Sequence, residues 1–164
     1  MKLNPILFVC LAAAWCLTPL GADNGRANAA DTAGTAPAYT PGLGEIMSLQ
    51  QMRHSKLWSA GEAHNWPLAA YELDELKEGF DDAKTFDPEH GGQPIAGLIK
   101  EITPAPLREI DTAIKAKSAA RFDAAFDQLT AACNNCHQSA DHGFIVIRRP
   151  ATSPYTNQDF TPHS

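Results

Sequence analysis

Residues 122–139 read FDAAFDQLTAACNNCHQS. Phe122, Phe126, Leu129, Cys133 and Cys136 recur at spacings of three and four, the period of one helix face. The apolar stripe of this helix runs straight into a cysteine pair, and His137 follows Cys136 at once. Positions i, i+3 and i+4 share a helix face, so Cys133, Cys136 and His137 point together. Whatever this chain holds there is held near the end of an amphipathic helix.

Outward from that stretch the same period recurs. A first helix is predicted from Gly42 to Ala60, with Leu43, Met47, Gln50, His54, Leu57 and Trp58 on one stripe and Gly61 ending it as a C-cap residue. A second begins at NWP, where Asn65 can cap and Pro67 suits a first turn. Its stripe is Trp66, Ala69, Leu73, Leu76, Phe80 and Ala83. Residues 81–94 contain a loop broken by Pro88, Gly91, Gly92 and Pro94. A third helix is predicted from Ile95 to Lys117, interrupted by TPAP at 103–106 because proline lacks the backbone donor and clashes with the preceding turn. The fourth starts near Ala120 and carries the motif. The links at 61–65 and 118–120 are short, so the helices they join are antiparallel neighbours. The expected fold is all-α: an up-down-up-down antiparallel four-helix bundle over 42–141. An irregular C-terminal tail, 142–164, packs along it, with Phe144 to Ile147 as its docked part.

The chain opens MKLNPILFVCLAAAWCLTPL, with Lys2 ahead of an apolar run. This is the pattern of a secretory signal peptide, expected over 1–29 with the cut near Ala30 after ANA. A flexible lead-in of Ala, Thr, Gly and Pro spans 30–41. Of four cysteines, Cys10 and Cys16 leave with the signal, so the mature chain keeps Cys133 and Cys136. Export to a periplasmic compartment is expected, with no membrane insertion of the mature chain. Thirteen basic residues face 19 acidic ones, a net charge of −6. Such a surface is a poor match for nucleic acid or anionic membrane.

C-x-x-C-H is the signature of c-type haem attachment. Two thiols on one helix face can add to the two haem vinyl groups while the neighbouring imidazole reaches the iron. The expected cofactor is one covalent haem c, held by Cys133 and Cys136 with His137 on the iron. That attachment occurs outside the cytoplasm, so motif and signal peptide support each other. Zinc wants four ligands and finds three clustered here. Thioredoxin chemistry wants C-x-x-C at a helix start. A non-haem structural bundle with a Cys133–Cys136 disulfide remains an alternative, but it gives His137 no role.

A four-helix bundle with CNNCH late in its last helix resembles the class II c-type cytochromes, the cytochrome c′ and cytochrome c-556 group. The likeness covers roughly residues 42 to 140, and CNNCH is its one specific motif. It implies His137 as the proximal ligand and helix 1 on the distal side. The family usually has an aromatic and a basic residue soon after the haem histidine and then stops. Here HQSADHGF follows and the chain runs on to Ser164.

The sixth iron position decides the function. A methionine there gives a low-spin electron carrier with a raised potential. An apolar residue leaves the iron open to small gases such as NO or CO, in the manner of cytochrome c′. Helix 1 offers Met47, Gln50 and His54 on its inner stripe. At 1.5 Å per residue, His137 and Met47 lie about 25 and 21 Å from the far loops, and His54 about 10 Å. Met47 is therefore the leading distal ligand, with distal packing as its other role, and His54 follows, with a bond to a neighbour such as Glu75 as its other role. His90 sits in a loop that can lid the haem end. His64 lies at the far end, and His142 falls on the proximal side. Phe126 is a candidate haem contact. Arg53, Arg148 and Arg149 are candidates to pair with haem propionates. Glu72, Asp74, Glu75 and Glu78 read as a solvated face. The expected partners are redox proteins, with a homodimer as a further option that no residue pattern specifies.

Overall fold

The computed structural model describes residues 39–163; the predicted signal peptide and most of the predicted lead-in lie outside the described residues. The fold is all-α, with helices α1 Leu43–Glu62, α2 Trp66–Phe86, α3 Ile95–Ile102, α4 Pro104–Lys115 and α5 Ala119–Ser139. No helix among the described residues is long and apolar enough to cross a membrane.

The predicted stripes are the buried faces. On α2, Ala69, Leu73, Leu76, Phe80 and Ala83 are buried, as are Phe122, Phe126 and Leu129 on α5. The Asn65 side chain caps α2 by accepting from the Leu68 N–H at 3.2 Å, with Pro67 in the first turn as predicted. The predicted third helix is two. TPAP divides it at Thr103, where Pro104 opens α4 and the Thr103 hydroxyl folds back onto the Ile99 carbonyl.

One helix end departs from expectation. Gly61 lies inside α1 rather than capping it. A Cβ there would sit 2.0 Å from the Phe122 ring, so the glycine lets that α5 side chain lie against α1. The left-handed residue that ends α1 is His64, at φ 56°. Its N–H bonds to the Gly61 carbonyl and that of Asn65 to Ala60, a Schellman motif. Lys117 and Asp141 end α4 and α5 in the same way.

Two apolar clusters form the core. One joins Leu57, Leu73, Leu76, Ile110, Phe122, Phe126 and Leu129. The other joins Leu43, Ile46, Phe80, Ala83, Ile95, Ile99 and Ala140. α1 packs chiefly on α2, and α5 chiefly on α4, while α1 and α5 meet sparingly. A cavity bordered by both accounts for that.

The tail docks, and of the predicted stretch Phe144 to Ile147 it does so through Ile145 and Ile147 only. Phe144 and Val146 are 79 % and 72 % exposed. The anchors are Ile147, Arg149 and Phe160. Asn134 donates to the Ile147 carbonyl at 2.8 Å and accepts from its N–H at 2.7 Å. Arg149 pairs with Asp127 and lies 4.2 Å from the Trp58 ring centre. Phe160 is buried in the first cluster, and Asn65 holds its carbonyl. The tail thus follows α5 back from the motif toward the helix start.

Candidate functional site

Cys133, Cys136 and His137 all line one cavity of about 250 Å³. α1 contributes Leu43, Met47, Gln50 and His54 to it, α2 contributes Leu76 and Phe80, and α3 contributes Ile95 and Ile99. Thr103, at the α3–α4 break, and the tail residues Ile145 and Ile147 complete the wall. Its surface is mostly apolar. The helical spacing of the motif is what delivers three soft or nitrogen donors to one wall.

His137 is oriented by the tail. Its Nδ1 lies 2.8 Å from the Ile145 carbonyl oxygen. A carbonyl can only accept, so Nδ1 carries a proton, and in the neutral ring Nε2 is the nitrogen with the lone pair. This is how metal-binding histidines are commonly fixed in one tautomer. Sequence reading missed the Ile145 carbonyl, because a main-chain acceptor leaves no mark in residue identity. Asn134, the first residue between the two cysteines, sets the position of that carbonyl by clamping Ile147.

Cys133 and Cys136 are free thiols. Burial, with a smaller contribution from Cys136, pushes the Cys133 thiol up to about 12, and burial also raises Cys136. Both are neutral thiols at physiological pH, the opposite of the depressed values that make a reactive C-x-x-C.

On the α1 side, the structure brings His54 into the same cavity as Met47, whereas the depth estimate separated them. His54 is 3 % exposed, and its Nε2 lies 2.9 Å from the Thr130 hydroxyl. That hydroxyl already donates to the Phe126 carbonyl, so His54 Nε2 is the donor. Burial pulls the His54 imidazole down to about 4. The partner of His54 is thus Thr130 and not Glu75, which pairs with Arg53 at 3.0 Å. Gln50 is also engaged, donating to the Leu76 carbonyl and accepting from Arg53. Met47 is half-buried on the same wall.

Phe126 does not line the cavity. It is fully buried beneath it, 4.4 Å from the His54 ring and 4.9 Å from Trp58 between ring centres. Arg53, Arg148 and Arg149 do not line it either, and Arg53 and Arg149 are paired with Glu75 and Asp127. Glu72 is buried rather than solvated, and burial raises its carboxyl.

Two further histidines stand at the same cavity. His90 lines it, as a lid residue should, and so does His142, which sequence position had assigned to the proximal side. Their ring centres are 6.1 Å apart. Asp87 holds His90 through Nδ1 while also accepting from the Leu43 N–H, and His142 Nδ1 donates to the Ala140 carbonyl. Gln93 reaches across to Asp141, joining the 87–94 loop to the end of α5. In comparisons with family models, curated proteins and solved structures, nothing matches this chain.

Proposed function

We propose that this chain is an exported monohaem c-type cytochrome that passes single electrons. The reading takes α3 and α4 as one broken helix of an up-down-up-down four-helix bundle. The observation that carries it is the shared cavity wall of Cys133, Cys136 and His137, with Nε2 of His137 freed by the Ile145 carbonyl. Two neutral thiols, an oriented imidazole and an apolar enclosure suit the donor set of haem c. Each thiol would add across one vinyl double bond, sulfur to one carbon and hydrogen to the other, with nothing released. When bound, haem c supplies a one-electron iron couple.

The protein's own part is placement and enclosure. His137 is held in one tautomer by the tail. Leu43, Phe80, Ile95 and Ile99 keep water from the cavity wall and lower the local dielectric, a lever on redox potential. Met47 is the proposed sixth ligand, because Gln50 and His54 on the same wall already serve internal hydrogen bonds. The partner would be a redox protein.

A second reading rests on Met47 packing against the cluster of Leu43, Ile46 and Phe80. As a packing residue it would leave the sixth position open, and the protein would bind small gases. Optical spectra of the reduced protein with and without carbon monoxide separate the two. Electron transfer through Met47 predicts a low-spin spectrum indifferent to carbon monoxide, converted to a responsive high-spin one by Met47→Leu. A native protein that already responds to carbon monoxide selects gas binding.

A further inference from the structure

The tail just past the motif carries features that the cavity does not use. From Ile145 to Pro150 the backbone runs without turn or bend. Odd-numbered residues face the protein: the Ile145 carbonyl accepts from His137, both main-chain groups of Ile147 are bonded to Asn134, and Arg149 lies over Trp58. Val146 and Arg148, between them, face away. Val146 is 72 % exposed against 41 % for Ile145, and Arg148 is exposed. This period of two is that of a strand. Phe144, 79 % exposed, lies in the turn ahead of the run, where the Ile145 N–H bonds to the His142 carbonyl.

Main-chain groups of alternate residues in a strand point to opposite edges. The groups of Ile145 and Ile147 are taken up by the protein. Among the described residues, those of Val146 and Arg148 make no hydrogen bond. The result is one open, largely apolar strand edge, backed by α5 on its other side. Such an edge is a template for another strand.

We infer that this edge pairs with the same edge of a second copy, antiparallel about a two-fold axis through Val146. The sequence IVI is self-complementary in that register, each Ile145 facing the other chain's Ile147. Each Val146 faces its own copy and exchanges main-chain bonds with it. Each Arg148 extends past the ladder toward the turn that carries the other chain's Phe144. The two Arg148 side chains fall at opposite ends of the ladder, so no like charges meet. A register centred one residue later is poorer. It sets Arg148 against Val146 and Ile145 against Arg149, which Asp127 and Trp58 already hold. The pairing also escapes the weakness of an isolated two-stranded ribbon, because each strand is already docked on α5. The inference does not depend on what the cavity holds.

The test is sedimentation equilibrium of the purified protein from micromolar to millimolar concentration. The wild type is expected to dimerise, and Val146→Pro to weaken the dimer about tenfold or more with unchanged far-ultraviolet circular dichroism. Val146→Lys and Val146→Asp place like charges directly opposite each other. Each alone is expected to be monomeric, and an equal mixture to restore the dimer. A wild type that stays monomeric, leaving the edge to a different protein, overturns the inference. So does a dimer indifferent to Val146→Pro, or a Lys and Asp mixture that fails to pair.

Discussion

The Nδ1 of His137 and the carbonyl oxygen of Ile145 lie 2.8 Å apart, so the histidine of the motif is held by the chain that leaves the motif. Asn134 makes this contact dependable by gripping both main-chain groups of Ile147, two residues further on. Asn134→Leu removes both bonds and leaves a half-buried N–H and C=O without partners. The expected loss is about 2 kcal/mol of stability, read as a lower urea midpoint. An unchanged midpoint would mean that the tail is held elsewhere, through Arg149 and Phe160.

Gly61 sets two effects against each other. Alanine gains about 0.5–1 kcal/mol over glycine within a helix, but its Cβ would meet the Phe122 ring at 2.0 Å. Overpacking a buried ring costs about 1–3 kcal/mol, and the contact is far inside van der Waals distance, so the clash wins. Gly61→Ala is expected to destabilise by about 2 kcal/mol. A stabilised variant in urea unfolding would show that Phe122 moves aside freely.

Lys117 is the converse case. It is exposed and takes φ 51° at the end of α4, where a Cβ is a liability. Lys117→Gly is expected to stabilise by about 0.5–1 kcal/mol, seen as a raised thermal midpoint. A lowered midpoint would contradict the Schellman assignment of that helix end.

These two positions show where the sequence was legible and where it was not. The stripes on α2 and α5 were readable because burial repeats with the helix period, and Asn65 and Pro67 carry local capping chemistry. Gly61 was misread as a cap because a glycine near a helix end has two uses, and only the Phe122 ring on another helix distinguishes them. The motif could be read down to its shared face, since i, i+3 and i+4 fix that geometry locally. The choice between Met47 and His54 was partly legible. Depth along the helices favoured Met47, but what engages His54 is Thr130, 76 residues away in the chain. The exposure of Phe144 and Val146 was not legible, because an apolar run carries no record of which of its edges is occupied.

His54 gives the chain an acid limit. Its folded-state value, about 4, lies below the ordinary 6.5 because burial penalises the charged ring. At pH 7 folded and unfolded forms are both mostly neutral, and there is no penalty. Below 6.5 the unfolded chain takes up a proton that the folded chain refuses until about 4. Stability therefore falls through that window, by about 3 kcal/mol when fully developed. His54→Leu should lose less than the wild type when urea unfolding is compared at neutral pH and within that window. Parallel pH profiles for the two proteins would place the acid sensitivity in other groups.

The most direct measurement is the intact mass of the protein, exported from a host that matures c-type cytochromes, together with its pyridine haemochrome spectrum. The account predicts a chain heavier by one haem that survives denaturation and acid extraction, and loss of that haem when Cys133 and Cys136 are both replaced by alanine. A chain of unmodified mass, lighter only by the two hydrogens of a Cys133–Cys136 disulfide, would contradict it.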